Sequence, residues 1–403
     1  MTKLENKNIG IMALTSCPEC GKRKLSKALS KVLLALIFVI VIIGGGWYFW
    51  KSPDDGYSLE GLAKALPKYI MVGEFHCGRA SVIKSEWGLG YIDKMGNEVI
   101  PCKYIYDERV NSDFHEGLAA VSDGNYWGYI DVDGNEVTDL IYYDTGFFSE
   151  GYAVASRGDK YYIVNKSGEE VAETNYIVDI DENHFSEGLI MVSDNNRIGY
   201  LNTKGELVIP CKFPRSYRSS LFSEGLAVAF NGDKLGFIDK TGKEVIPFVY
   251  DDADVFSDGL AVVEKDGETF YINKEGQKVL NTKYFNGGGF HDGYAVERSE
   301  DGDTYYYIDK TGKNVFNTKY ESASSFENGY ACIGKWDNEG NHQDMLWGFI
   351  DKKGKEVIPC KYKECYTLSE GLALFKQDEN IYGFVDIHGK STFDIENDEA
   401  QRR

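Results

Sequence analysis

One eight-residue string recurs along this chain. FSEGLAVA at 222–229 returns as FSEGYAVA at 148–155, FSEGLIMV at 185–192 and FSDGLAVV at 256–263. A string that returns at a regular interval is typical of repeat proteins, in which each copy supplies one layer of a shared core. The repeat therefore overrides the two or three domains that a length of 403 residues would otherwise suggest.

Each repeat unit contains three recurring pieces. The first is F-x-x-G followed by small apolar residues, the second is (W/L/Y)-G-(Y/F)-I-(D/N)-x-x-G, and the third is E-V-I-P or a relative of it. The last glycines of the second piece are 34 to 42 residues apart, which gives nine units. The nine units begin at Phe75, Phe114, Phe148, Phe185, Phe222, Phe256, Phe290, Phe326 and Leu368.

The three pieces predict three strands for each unit. In D-K-T-G-K, Asp239 suits the first position of a type I turn, and Gly242 suits the left-handed position that closes a hairpin with a bulge. The second and third pieces are then antiparallel strands, and the F-x-x-G piece begins another. The proline after E-V-I is expected to end the third strand, because it cannot donate to a ladder.

Neighbouring residues in the second piece, such as Phe237 and Ile238, are both apolar. Both faces of the strand are therefore covered, and only adjacent units can cover them. We predict an all-β tandem array of about nine three-stranded meanders over residues 75–395, followed by a polar tail at 396–403. Irregular unit length favours an open superhelix or solenoid, with β-propeller-like closure as the alternative.

Two copies of the second piece, WGYIDVDG at 127–134 and WGFIDKKG at 347–354, carry a family resemblance. With F-S-E-G-L-A-V and E-V-I-P-C-K-Y around them, they resemble the bacterial WG-repeat (KWG-repeat) family over about residues 75–395. Units three, six and seven depart from the pattern, because they lack the W-G pair. The resemblance implies an all-β array with a binding or scaffolding role, and it supplies no catalytic residues.

The segment before the repeats predicts a membrane anchor. Residues 32–50 contain a long uncharged apolar run that ends in aromatic residues, and five Lys or Arg residues stand just before it. We expect a cytoplasmic stub at 1–31, a transmembrane helix at 32–50, and a linker at 51–74 leading to repeats outside the cytoplasm. A cleaved signal peptide is the rival, but the charged region is long and no A-x-A site follows.

Cysteine spacing gives two further expectations. Cys17 and Cys20 form one C-x-x-C knuckle, half of a zinc ribbon, so a zinc site would need a second chain to complete it; otherwise the pair is free. Cys102, Cys211 and Cys360 follow proline at one repeat position, where a small packed residue is expected. Cys365 lies close to Cys360, so that pair is the one to check for a disulfide.

Charge and motifs limit the function. The net charge is −20, and the first 50 residues carry +5, so the remainder is strongly acidic and a poor binder of nucleic acid. The chain shows no H-x-x-x-H pair, nucleophile elbow or glycine-rich phosphate loop, so we expect no enzyme and no cofactor apart from the zinc considered above.

We therefore expect an anchored interaction or scaffold protein that binds a protein partner at the cell envelope, with an enzyme as a distant alternative. A glycan-binding module is the nearer alternative. Trp127 and Trp347 are candidate contacts, as is Trp336 in the insertion at 334–348 of unit eight. Solvent-facing Trp127 and Trp347 would favour glycan binding, and core positions would favour scaffolding.

Overall fold

The computed structural model describes residues 56–84, 87–108, 110–282, 289–299, 302–337, 344–378 and 381–394. The predicted stub at 1–31, the predicted transmembrane helix at 32–50 and the predicted tail at 396–403 lie outside these residues. So do Cys17 and Cys20. Within the described ranges, no helix combines the length and the apolar character needed to cross a bilayer.

Nine small antiparallel sheets, one for each repeat unit, account for the strands of the described residues. Units one to three contain β1 (Met71–His76), β2 (Arg79–Ile83), β3 (Gly88–Asp93), β4 (Glu98–Ile105), β5 (Leu118–Ser122), β6 (Trp127–Asp131), β7 (Asp144–Thr145), β8 (Tyr152–Arg157), β9 (Lys160–Asn165) and β10 (Glu170–Thr174). Units four to six contain β11 (Leu189–Asp194), β12 (Arg197–Asn202), β13 (Leu207–Pro214), β14 (Leu226–Phe230), β15 (Leu235–Asp239), β16 (Glu244–Tyr250), β17 (Asp252–Ala253), β18 (Ala261–Lys265), β19 (Glu268–Ile272) and β20 (Lys278–Asn281). Units seven to nine contain β21 (Tyr294–Arg298), β22 (Tyr305–Asp309), β23 (Ser322–Ala323), β24 (Tyr330–Trp336), β25 (Met345–Asp351), β26 (Glu356–Tyr362), β27 (Glu364–Ser369), β28 (Leu372–Asp378) and β29 (Ile381–Asp386).

The D-x-x-G turn has the geometry that the sequence predicts. Gly242 has φ +76° and donates its N–H to the carbonyl of Asp239 at 2.8 Å. The Asp239 carboxylate accepts the N–H groups of Thr241 and Lys243 at 2.9 and 3.1 Å. The turn therefore satisfies its own backbone donors and fixes the hairpin between the second and third strands of the unit.

Two predictions about the strands were wrong in detail. Units one, three, six, eight and nine have a further strand before the F-x-x-G turn, namely β1, β7, β17, β23 and β27. The proline of E-V-I-P also does not end the third strand, since β4 and β26 run through Pro101 and Pro359. Each proline is exposed on the outermost strand beside a bulge, where the missing N–H is not needed.

Adjacent residues of one strand pack into different interfaces, as the apolar run predicts. Phe237 and Ile238 of β15 are both 0% exposed. Phe237 packs with Phe256 and Ile272 of unit six, whereas Ile238 packs with Ile198 and other residues of unit four. Each sheet is therefore a layer between its two neighbours, and no unit has a complete core of its own.

The array closes on itself, so the favoured open superhelix was wrong. Val72 and Phe75 of unit one share a hydrophobic cluster with Leu374 and Phe384 of unit nine. The contact resembles those between sequential units and joins the two ends of the array. Small antiparallel sheets in a closed ring form the β-propeller-like alternative. Closure covers the face that each end unit would otherwise expose.

A short helix seals the seam between unit nine and unit one. Helix α1 (Leu59–Ala65) begins after Ser58, whose hydroxyl accepts the N–H of Gly61, and a 3₁₀ turn (Leu66–Lys68) follows it. Leu62 and Leu66 pack in the cluster that contains the unit nine residues. The expected linker at 51–74 is therefore folded from Leu59 onward, because its apolar residues cover an end unit whose described residues form no E-V-I-P strand.

Candidate functional site

The F-x-x-G turns of successive units meet one another on one side of the closed array. We call this set the turn ring: residues 76–78, 115–117, 149–151, 186–188, 223–225, 257–259, 291–293, 327–329 and 369–371. In each turn the second residue and the glycine both have positive φ, as for Glu187 at 54° and Gly188 at 83°. This is a type I′ hairpin turn, which normally favours Asn-Gly or Asp-Gly.

Glutamate is an unusual residue for this position, and its contacts explain its presence. The Glu187 carboxylate accepts the N–H of Gly225 in the next unit, with both oxygens at 3.0 Å. Lys240 of that next unit lies 3.0 Å from the same carboxylate. We call this arrangement an acidic clasp. Burial acts to raise the pKa of Glu187, but the bonds from Lys240 and Gly225 outweigh it, so the pKa lies below its usual value.

The carboxylate-to-glycine bond of the clasp recurs at seven of the nine junctions. The pairs are Glu116–Gly151, Glu150–Gly188, Glu187–Gly225, Glu224–Gly259, Asp258–Gly293, Asp292–Gly329 and Glu370–Gly78. The other two turns carry Cys77 and Asn328 at the acidic position. The turn ring thus holds neighbouring units together by charge-assisted hydrogen bonds.

The junction at Asn328, between units eight and nine, has a covalent link. Cys332 of β24 forms a disulfide with Cys365 of β27. Cys360, which the sequence marked as the residue to check for a bond to Cys365, is free. The Cys360 side chain instead packs beneath the neighbouring strand, 3.7 Å from the carbonyl of Ile333, and burial raises the pKa of its thiol to about 12.

Aromatic and imidazole rings form a ladder beside the turn ring. The ladder consists of His76, His115, Phe147 and His184, one from each of units one to four, with successive ring centroids 5.9, 4.5 and 4.9 Å apart. Hydrogen bonding of the His76 imidazole to the Glu74 carboxylate raises the pKa of His76. Burial lowers the pKa values of His115 and His184. His76 therefore has a higher pKa than its ladder neighbour His115.

The segments that precede the turns in units one to four line a cavity of about 450 Å³, which we call the first cavity. Its polar groups include Ser81, Ser112 and Asp113. The Ser81 hydroxyl donates to the Asp113 carboxylate at 3.0 Å, and burial raises the pKa of that carboxyl group. Tyr91 donates its hydroxyl to the Ser112 carbonyl at 2.6 Å and fixes this wall.

A second cavity, of about 770 Å³, lies against units eight and nine. Its lining includes Phe326, Trp347, Leu368 and both cysteines of the disulfide. The Cys332–Cys365 bond therefore forms part of a cavity wall as well as a junction. Both volumes lie in the range of ligand-binding clefts.

Two stacked aromatic pairs lie near the first units, and the sequence analysis missed their exposed rings. Trp87 is 60% exposed and stacks on Tyr106 with ring planes 4° apart. Tyr126 and Tyr143, both exposed, stack at 5.8 Å. One feature of the sequence could have indicated the first pair. Trp87 stands two residues before the leucine of the L-G pair in unit one, so it is an aromatic residue outside the repeat register.

Family comparison identifies the repeat. A family model described as a WG-containing repeat matches residues 90–127, 127–161, 198–234, 236–268, 307–335 and 347–380, which together span about half of the chain. The chain belongs to the WG-repeat family. No curated protein matches it.

Two solved structures are among those similar to this WG-repeat protein. A eukaryotic initiation factor is 12% identical, with a TM-score of 0.50, over 79% of this chain and 95% of that one. BamB from Moraxella catarrhalis is 11% identical, with a TM-score of 0.38, over 67% of this chain and 94% of that one. At these identities the likeness to the first concerns the fold alone.

The glycine of the WG pair has a packing role. A Cβ added to Gly348 would lie 2.4 Å from the carbonyl oxygen of Ile358 and 2.7 Å from the nitrogen of Cys360. The register between β25 and β26 shifts at this point, so the third strand bulges toward the glycine. In unit three, where Tyr162 replaces the glycine, consecutive residues pair without a shift there. The WG glycine therefore accompanies a bulged third strand.

The tryptophans of the WG pairs face inward to different extents. Trp127 is 7% exposed and belongs to a hydrophobic cluster with Tyr129 and Phe148. Trp347 is half-buried and lines the second cavity. Trp336 is 39% exposed at the end of β24, next to an insertion whose residues 338–343 lie outside the described part. The fold does not bring these three candidates together in one site.

The described residues contain no group of three or more His, Cys, Asp or Glu side chains placed to hold a metal. This finding does not bear on Cys17 and Cys20. The candidate functional site is the first cavity together with the turn ring and with Trp87, which stacks on the cavity residue Tyr106.

Proposed function

We propose that the protein is a membrane-anchored interaction protein whose WG-repeat ring binds a protein partner at the cell envelope without catalysis. The observation that carries the proposal is the convergence of four successive units on the first cavity. Clefts built by several repeat units are typical binding surfaces of repeat proteins. The acidic clasps hold the ring together, so its binding surface is pre-organised.

Two features of the chain support a position at the envelope. The apolar run at 32–50 and the basic residues before it support an anchor with the ring outside the cytoplasm. The disulfide between Cys332 and Cys365 supports the same orientation, because such bonds persist in oxidising compartments.

A crosslinking pull-down from the native envelope tests the proposal. The tagged full-length protein is compared with the tagged anchor, residues 1–55, at equal expression. A discrete protein enriched only by the full-length chain is the expected result. Enrichment of the same proteins by both baits would contradict a partner for the ring.

Glycan binding is a second candidate, favoured by the exposed ring of Trp87, which stacks on half-buried Tyr106. Aromatic faces that remain in solvent offer a flat apolar surface for a sugar ring. A glycan array probed with the full-length protein in detergent tests this candidate. Trp87→Ala should abolish a true glycan signal, whereas Trp336→Ala, which removes another exposed tryptophan, should leave it intact.

A further inference from the structure

The carboxylate of Asp113 is the central polar group of the first cavity. It accepts one hydrogen bond, from the Ser81 hydroxyl at 3.0 Å, and the Asp113 N–H donates to the side-chain oxygen of Asn111 at 2.9 Å. Among the residues that the structure describes, no Lys or Arg forms an ion pair with Asp113. Protonated His76 favours the charged form of Asp113, but burial still raises the pKa of that carboxyl group, so a cation in the cavity would stabilise the carboxylate further.

The rest of the lining indicates what kind of ligand fits. The wall around Asp113 is apolar, formed by side chains such as Val72, Ile83 and Leu89. Two aromatic rings, Tyr106 and Phe147, also face the cavity. Aromatic faces attract cations, and apolar walls accept an alkyl stem.

The mouth of the cavity adds further negative charge. Glu108 and Asp181, both exposed, are part of the lining, and none of its described residues is basic. An anion would meet three carboxylates here, and a neutral apolar ligand would gain nothing from the charge of Asp113. A cation on an aliphatic stem satisfies both the carboxylates and the walls.

We infer that the first cavity binds an alkylammonium group, with its nitrogen at Asp113 and its stem against the apolar wall. The inference rests on the proposed binding function and names the chemistry that the ring recognises. The group has two sources, a free small amine or a lysine side chain of a partner protein.

Calorimetry with the full-length protein in detergent tests the charge preference. The probes are n-butylammonium chloride and its neutral counterpart n-butanol. We expect butylammonium to bind about tenfold or more tightly than butanol, because only the ammonium can form a charge-assisted hydrogen bond with the Asp113 carboxylate. Equal binding of the two probes by the wild-type protein would overturn the inference, whatever any variant does.

A pair of charge-matched variants localises the site. Asp113→Asn should weaken butylammonium binding about tenfold or more, whereas Asp159→Asn, which removes an exposed carboxylate elsewhere, should not change it. Unchanged thermal unfolding of Asp113→Asn shows that the ring is intact. Wild-type affinity in an intact Asp113→Asn protein would overturn the assignment of the nitrogen to Asp113.

Two peptides distinguish the sources of the amine. The first is acetyl-Gly-Lys-Gly-amide, and its neutral match carries norleucine in place of lysine. Tighter binding of the lysine peptide than of butylammonium supports a partner side chain, and binding of butylammonium alone supports a small amine. In the pull-down, a partner retained by Asp113→Asn, together with equal butylammonium and butanol affinities, would refute this inference and leave the proposed function standing.

Discussion

The Glu370 carboxylate in unit nine accepts the N–H of Gly78 in unit one, with its oxygens at 3.2 and 3.0 Å, across 292 positions of sequence. The same bond joins Glu187 to Gly225, 38 positions apart, inside the array. Ser369 and Phe75 repeat a second inter-unit bond across the same seam. The seam is thus built from the contacts that join consecutive units, which makes closure testable by mutation.

The first prediction concerns closure. The Ser369 hydroxyl donates to the Phe75 carbonyl at 2.6 Å, and Ser223 donates to the Phe256 carbonyl at 2.7 Å within the array. In a closed ring, Ser369→Ala and Ser223→Ala should each lower the free energy of unfolding by about 1 kcal/mol, since each removes one hydrogen bond. Urea denaturation of the full-length protein in detergent measures both. An open array would lose stability only with Ser223→Ala.

The second prediction concerns the disulfide. The bond links residues 33 positions apart, so the double variant Cys332→Ala/Cys365→Ala should lose about 2–4 kcal/mol of unfolding free energy. Adding reductant should destabilise the wild-type protein and leave the double variant unaffected. Mass spectrometry of an unreduced digest should find the Cys332 and Cys365 peptides joined. Recovery of both as alkylated single peptides, or a Cys360–Cys365 link, would contradict it.

The third prediction concerns the WG glycine. Gly348→Ala should destabilise the ring by about 1–3 kcal/mol, because the added Cβ meets the backbone of the bulged third strand rather than a movable side chain. Gly56→Ala is the matched control, since nothing lies within 4 Å of a Cβ built there. Thermal unfolding compares the two. Equal unfolding temperatures would show that the bulge yields to a methyl group.

The fourth prediction concerns acid. Because the folded-state pKa of Glu187 is below its usual value of 4.5, the unfolded chain binds the proton more readily. The stability from this clasp is therefore present above pH 4.5 and is lost as the pH falls through the folded-state pKa. Glu187→Gln should be less stable than wild type at neutral pH, and the difference should shrink under acid. Urea titrations at pH 7 and in acid measure it; a constant difference would contradict the clasp.

Several features of the fold could be predicted from local sequence. The D-x-x-G turn depends on residues that are close along the chain, such as Asp239 and Gly242, and its geometry follows from the ability of glycine to adopt positive φ without steric cost. Two-sided burial of Phe237 and Ile238 follows from adjacent apolar residues in one strand. Repeated strings encode both features.

The candidate site was less accessible to sequence analysis. Asp113 and Ser81 come from different units, so their hydrogen bond depends on how one sheet packs on the next. A prominent motif residue can also lie outside any binding surface: Trp127, a candidate contact from the sequence, is buried in the core. Trp87 was missed because it stands outside the repeat register, and the sequence analysis compared the positions that recur in every unit.

The sequence by itself determined the all-β class, the nine-unit repeat and the mutual dependence of the units, because these follow from short-range spacing and apolar pattern. Only the tertiary structure decided that Glu370 meets Gly78 and that Cys365 bonds to Cys332. Closure depends on the rotation between adjacent sheets summed over the whole array. That rotation is set by side-chain packing at each interface, which residue spacing along the chain does not specify.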